Sequence, residues 1–432
     1  MLGGSRLWHH SDFLKLWAGQ TISVIGGEIT VLALPTLAIL QFHTSALVVG
    51  LLIATQRLPF LVLTLFTGVL ADRVRRRPLM IVADAGRAIA LASIPLAFLL
   101  NALTLAQLFV IALCMGIGNV LFDIAYLAYL PSLVGQADIL EGNNKLNTSF
   151  SIALLAGPGL GGVLVQAIGA ARTIGINALS YVVSVLTLLW IREPEPHPRK
   201  GGEQSSVMTE LREGIGVVFR HPLLRSLLAM MTSLSVAEQL AIPLYLVFFY
   251  RQLHLTPAEA GLIFASFGLG ALVGSLLASR AVATLGLGRA MLVGATGSPV
   301  GLALVPLALL LPPVPWLFFT NFVAAVAITV MDLQQVSLRQ SLTPSHLQGR
   351  MNATYRTVFW GVWPLANFAG GFLGDRIGFV PTFLIAAAVG LVPVGIVLAS
   401  PIGRLRSYPA GADAADPGQT REPDPLGLRP EV

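Results

Sequence analysis

The sequence predicts an all-α membrane protein, with twelve transmembrane helices in two pseudo-symmetric six-helix bundles. Three observations carry this prediction: composition, the spacing of apolar runs, and an internal repeat. Of 432 residues, 55% are hydrophobic and 11% charged, and the mean hydropathy is +0.77. Soluble domains carry about 25% charged residues. A soluble enzyme, a nucleic-acid binder and a disordered scaffold are thereby excluded. The net charge of +6 fits basic cytoplasmic loops better than a nucleic-acid partner. With one cysteine, Cys114, neither an intramolecular disulfide nor a Cys-based metal site is possible. The seven histidines show no ligand spacing, so neither metal nor cofactor is expected.

Apolar runs fall at 13–40, 46–71, 79–100, 105–131, 146–168 and 173–191, then at 224–250, 258–279, 290–311, 314–338, 351–374 and 380–400. Each is near or above the roughly 20 residues that cross about 30 Å of hydrocarbon. Met1 to Ser11 lacks an apolar stretch ending in a small-residue cleavage site, so the first span is expected to be retained. With both termini in the cytoplasm, almost every Lys and Arg lies on that side or at span ends facing it. Arg73, Arg75, Arg76 and Arg77, the 192–225 loop, Arg339 and Arg350 contribute most; Arg172, Arg251 and Arg376 fall outside, and Arg57 and Arg87 lie within spans. This is the positive-inside pattern.

Residues 192–222, with Glu193-Pro-Glu-Pro-His-Pro and Gly201-Gly202, read as a linker between a first bundle at 1–191 and a second at 223–404. Within the linker, Val207, Leu211, Ile215, Val218 and Phe219 stand at helical spacing. They make either a short amphipathic helix on the cytoplasmic membrane surface or an extension of the seventh span. Residues 405–432, rich in Pro, Gly, Ala and Asp, read as a disordered cytoplasmic tail.

The halves match at an offset of 209–211 residues. Gly50 answers to Gly261, Gly161-Gly162 to Gly370-Gly371, and Gly169 to Gly378. Parallel six-span halves imply a pseudo-two-fold axis along the membrane normal. The repeat also pairs mid-span charges, Glu28 with Glu238 and Asp123 with Asp332. A charge at mid-membrane costs about 2.5–3.5 kcal/mol on insertion scales, so four at symmetric positions need a reason. In a two-half transporter, spans 1, 4, 7 and 10 line a central cavity; the plain alternative is a neutral or paired structural group at each position. Arg57, deep in span 2, either pairs with a buried acid such as Glu28 or faces the cavity to bind an anionic substrate.

At the inner end of span 2, Gly68-Val-Leu-Ala-Asp72-Arg73-Val-Arg75-Arg76-Arg77 resembles the signature loop of the major facilitator superfamily, G-x-x-x-D-R-x-G-R-[RK], with Arg75 at a usual glycine. Asp72 there can accept hydrogen bonds from a facing helix N-terminus, and the arginines hold the cytoplasmic surface. The second half carries a decayed copy, Gly274 to Arg280, with Ser279 in place of the aspartate. In span 5, Gly157-Pro158-Gly159-Leu160-Gly161-Gly162 resembles the antiporter motif G-P-x-x-G-G, which in the superfamily accompanies export. Leu105 to Phe122 lacks the arginine that many drug antiporters carry in span 4. Phe13 to Gly26 and Glu210 to Arg225 resemble the branch of macrolide-efflux and enterobactin-exporter proteins. Asp84 and Arg87 fit that branch as a structural i,i+3 pair.

The resemblance, over about residues 10–405, implies a bacterial inner-membrane, proton-driven exporter of small amphipathic molecules, such as antibiotics or secreted metabolites including siderophores. It works as a monomer by alternating access, with a carboxylate (Glu28, with Asp123 or Asp332) carrying the proton. The alternatives are an importer of a small solute and a non-transporting receptor or assembly protein. No G-x-x-x-x-G-K-[ST] loop offers nucleotide drive, and no nucleophile–base pair argues for an enzyme.

Overall fold

The computed structural model describes residues 6–63, 75–195 and 207–409. Of the positions singled out above, Gly68, Asp72 and Arg73, part of the linker and most of the tail lie outside the described residues. The first half contains α1 (Ser11–Phe42), α2 (Ala46–Leu63), α3 (Arg76–Leu99), α4 (Leu105–Val134), α5 (Ile139–Ile168) and α6 (Ala170–Leu189). After α7 (Val207–Arg220) come α8 (Pro222–Arg251), α9 (Pro257–Leu285), α10 (Leu287–Leu304) and α11 (Pro313–Ser341). The chain then forms α12 (Gln348–Gly361), α13 (Trp363–Ile377) and α14 (Phe379–Ala399).

The helix ends follow local chemistry. His10 Nδ1 accepts the Phe13 amide at 3.1 Å to begin α1, and Thr104 caps α4 in the same way. α9 opens on a capping box, Thr256 with Glu259, and Pro257 takes the first helical position, where no N–H is needed. The repeat-related Gly169 and Gly378 break α5 from α6 and α13 from α14 with φ of 84° and 90° and nearly extended ψ, a conformation essentially confined to glycine.

Among the described residues, eleven helices are long and apolar enough to cross a membrane. Their outer faces stay apolar, with Ile89 and Leu276 among many exposed large side chains. This is what a lipid-facing belt requires, since the hydrocarbon solvates side chains but not backbone.

The predicted eleventh span, 351–374, is not one helix. It turns at Val362 into α12 and α13, because Pro364 has no N–H for the i→i−4 ladder and its ring crowds the carbonyl one turn back. α7 is a separate helix rather than an extension of the seventh span, since extended His221 divides it from α8. It docks on α12 through a Glu213–Arg350 ion pair and through Gly214, which lies against Arg350 and Thr354. Val218 is fully buried there, while Ile215 and Phe219 remain exposed.

Packing follows the repeat. In the first half α1 packs on α5 and α6, α3 on α4 and α6, and α2 on α4. The counterparts recur in the second half: α8 on α13 and α14, α10 on α11 and α14, and α9 on α11. Two seams join the halves, α5 on α9 and α2 on α13, and they too are symmetry mates. Glycine makes both seams possible. A Cβ on Gly162 would stand 2.9 Å from the Gly261 Cα, and one on Gly371 would stand 2.8 Å from the Leu47 Cα.

The α1–α2 and α8–α9 turns lie at one face of the bundle, the turn face. The start of α1 and the end of the described chain lie at the other, the terminal face. Hydrogen bonds between the halves collect at the turn face. Arg251 Nη2 donates to the carbonyls of His43 (2.6 Å) and Thr44 (2.9 Å), and the hydroxyls of Thr36 and Tyr250 meet at 3.0 Å.

Candidate functional site

The middle of the bundle encloses a cavity of about 470 Å³ between the two halves. α1 brings Glu28 to it, α2 brings Arg57, and α8 brings Glu238, the repeat mate of Glu28. The remaining wall is mostly apolar, with an aromatic side on the second half. There Tyr245 packs at ring-centroid distances of 5.8 Å from Phe249 and 6.1 Å from Phe264. Such a wall suits an amphipathic guest, because it buries rings while a few polar groups fix orientation.

The three charges are not neutralised by direct pairing. Arg57 and Glu28 share the cavity within electrostatic reach, but no ion pair joins them at 4 Å or less. Arg57 instead lies over the Trp363 ring, 4.9 Å from its centroid. The ring is itself fixed, its Nε1 donating to Ser235 Oγ at 2.7 Å. Trp363 is the first residue after the turn at Val362, so the broken helix is what presents its ring to the cation. Nothing in the sequence set Trp363 apart, since a proline in an apolar run does not by itself mark a break. Glu238 has Ser298 beside its carboxyl group, but its Oε1 is buried without a hydrogen-bond partner, which is costly for a carboxylate oxygen.

Asp123 and Asp332 are not part of this cavity wall. Each stands nearer the end of its helix at the terminal face than at the turn face. Asp123 is within electrostatic reach of Arg57 and Arg87 and, across the gap, of Arg356 on α12. It therefore faces the space between the halves. Asp332 accepts a hydrogen bond from Gln335 Nε2 at 2.9 Å.

The antiporter-like segment touches the site directly. A Cβ on Gly157 would collide with the Cβ of Glu28. Gly161 lies on the Ile29 backbone of α1, and Gly162 and the Pro158 carbonyl lie on Gly261 of α9. One face of α5 thus supports the Glu28 segment, and the next face forms an inter-half seam.

The basic run after α2 has local duties among its described residues. The backbone amides of Arg76 and Arg77 donate to the Glu195 carboxylate at 2.6 and 3.1 Å, capping α3. The Arg77 guanidinium donates to the carbonyls of Leu188 and Leu189, both at 2.8 Å, capping α6. Both are favourable placements of charge at helix ends. Asp84 and Arg87 form the predicted pair, with Ser184 donating to the same carboxylate and the guanidinium stacked on Phe122 and Tyr181.

Two pseudo-symmetric six-span bundles around a charged mid-membrane cavity define a secondary transporter of the major facilitator superfamily. A family model described as transmembrane secretion effector matches residues 7–420, and the chain belongs to that family. It is accordingly a multi-pass membrane transporter and not an enzyme. Among curated relatives it is 27% identical over 393 residues to the multidrug efflux pump Tap of Mycolicibacterium fortuitum, covering 89% of this chain and 94% of that protein. It is 27% identical over 422 residues to the enterobactin exporter EntS of Citrobacter koseri, covering 94% and 96%. Among solved structures, the nucleoside transporter NupG aligns with TM-score 0.70 at 12% identity over 90% of this chain and 98% of that one. A bacterial homologue of the iron transporter ferroportin in its inward-facing state aligns with TM-score 0.70 at 16% identity, over the same shares. At such identities these structures speak for the fold alone.

Proposed function

We propose that this protein is a proton-coupled exporter of small amphipathic molecules, working by alternating access in the bacterial inner membrane, as a monomer with both termini in the cytoplasm. The observation that carries the reading is the cavity, with unpaired Glu28, Glu238 and Arg57 set in an apolar and aromatic wall between two symmetry-related halves. The basic loops favour a cytoplasmic terminal face. The turn face is then the outer side, and it is held closed by contacts between the halves. The efflux pump and the exporter among the relatives support the outward direction, as does the Gly-Pro segment of α5.

In this scheme substrate enters from the terminal face and docks against the aromatic wall, with Arg57 available to an anionic group. The bundles at 1–191 and 223–404 rock about the cavity, and Glu28 takes a proton from the outer side and releases it inside. An ionised carboxylate in so dry a place is costly, so its protonation state and the opening of the cavity depend on each other. Asp123 and Asp332, toward the inner side, relay the proton to the cytoplasm. Asp72, with Gly68 and Arg73, guards the inner gate.

The test is dye or drug accumulation in cells expressing the protein, with and without a protonophore. Low accumulation that rises on adding the protonophore is the expected result. Expression that leaves accumulation unchanged for a broad panel of amphipathic compounds, or that raises it, would overturn export.

A further inference from the structure

The α1–α2 turn is gripped from the other half by two side chains of opposite charge, each matched to the helix end it touches. Arg251, at the end of α8, donates to the His43 and Thr44 carbonyls at 2.6 and 2.9 Å, where α1 presents its negative C-terminal end. Asp375, near the end of α13, accepts the Ala46 amide on Oδ1 at 3.0 Å and the Leu47 amide on Oδ2 at 3.2 Å, where α2 presents its positive N-terminal end. Bonds of this kind combine a charge-assisted hydrogen bond with the helix dipole. The α2–α13 seam beneath allows no slack, since Gly371 lies on Ala46 and Leu47.

The symmetry mate of this seam supplies an internal comparison. At the repeat position of Asp375 stands Gln166, whose Oε1 accepts the Ala258 amide of α9 at 3.2 Å. The site is related by the repeat but not equal: Gln166 is a neutral amide that accepts one backbone N–H where Asp375 accepts two, since Pro257 has none to give. α9 also carries its own Thr256–Glu259 capping box. One seam is therefore latched by charge and the other is not. The string around Asp375, Gly371-Phe-Leu-Gly-Asp375-Arg376, repeats the glycine, leucine, aspartate and arginine of Gly68-Val-Leu-Ala-Asp72-Arg73 at the same spacing.

We infer that Asp375, backed by Arg251, is the latch that holds the turn face shut, and that its release from the α2 N-terminus is the step that opens the cavity outward. Asp375 is exposed and touches no cavity group, so it acts on the conformational balance and not on substrate. This rests on the alternating-access reading and its orientation.

The experiment uses the full-length protein with Cys114→Ser and Ile53→Cys, which puts a single thiol in the cavity wall. Labelling by a membrane-impermeant maleimide is followed in intact cells and in inverted vesicles. Asp375→Ala is expected to raise labelling from outside roughly five- to thirty-fold, the range a lost charge at a helix end allows. Asp375→Asn, which keeps the size but loses the charge, is expected to fall between Ala and wild type. Gln166→Ala, which loses one neutral hydrogen bond, is expected to raise labelling by a smaller factor, about two- to threefold. A rise confined to inverted vesicles would support the latch and overturn the orientation. Unchanged labelling in both Asp375 variants, at normal yield and melting temperature, would overturn the latch. An equal rise in Gln166→Ala would overturn it too, since packing at either seam would then be enough. Should Asp375→Ala yield no folded protein, Asp375→Asn and Arg251→Gln carry the same test.

Discussion

At the scale of single residues, the molecule separates charges paired within one half from charges that line the cavity. Asp84 and Arg87 are buried, paired and stacked on Phe122 and Tyr181, and every strong contact they make stays within one half. Asp84→Ala leaves that guanidinium buried without its counter-charge, a change expected to cost about 3–5 kcal/mol. The check is a markedly lower melting temperature and yield in detergent, with little left to assay for transport. Glu28 and Glu238 behave oppositely, lining open space without an ion pair. Glu28→Gln is expected to keep yield and melting temperature near wild type while abolishing gradient-driven efflux, because the amide cannot carry a proton. Glu238→Gln is expected to do less, since the antiporter-like glycines support only Glu28. Efflux assays on both single variants and the double variant decide this, and unchanged efflux in all three removes these residues from coupling. Gly157→Ala follows from the same contact. The added methyl meets the Glu28 Cβ, so efflux should fall although no charge has changed.

At the scale of elements, α5 carries two functions on adjacent residues, and the pair can be separated. Gly161 faces α1 within its own half, whereas Gly162 faces Pro257 and Gly261 across the seam. Gly162→Leu should pry α5 from α9, so protons or substrate leak downhill and uphill export falls while yield holds. Gly161→Leu should overpack one bundle, costing about 1–3 kcal/mol and lowering stability before it causes leak. Proton leak in proteoliposomes, set beside thermal melting, distinguishes the two, and tight coupled export by Gly162→Leu would sink the seam account. The repeat pairs Gly162 with Gly371 and Gly50 with Gly261 in the sequence, but it does not say that such glycines lie at seams between the halves. The break at Val362 was not legible. Membrane helices tolerate proline, so Pro364 in an apolar run did not announce a turn. With the break went the placement of Trp363 on Arg57. The division of the four acids into a cavity pair and an inner pair was likewise hidden, because sequence gives depth along a helix and not which space a side chain faces.

At the scale of the whole molecule, the two seams are equivalent by symmetry but the polar contacts between the halves are not evenly spread. The hydrogen bonds that Arg251, Asp375 and Tyr250 make with the first half fall at the turn face, while toward the terminal face Asp123 lies within electrostatic reach of Arg356 of the other half. In the proposed scheme the halves move by pivoting on what lies between the two faces, here α2 against α13 and α5 against α9. Rigid pivoting demands that the turn face part in every export cycle. The Thr36–Tyr250 contact spans that face, joining α1 to α8. In a Cys114→Ser background, Thr36→Cys with Tyr250→Cys leaves a gap that a thiol crosslinker of about the reach of the lost tyrosine ring can bridge. Crosslinking before substrate is added should stop export completely, and cleaving a reducible linker should restore it. Substrate binding measured from the terminal face should persist in the crosslinked protein, because the proposed scheme loads substrate from that side. A merely damaging modification would instead lower binding and export together, and reduction would not restore them. Export that continues at the wild-type rate with the linker in place would mean that the halves do not part there, and the rocking mechanism would have to be abandoned.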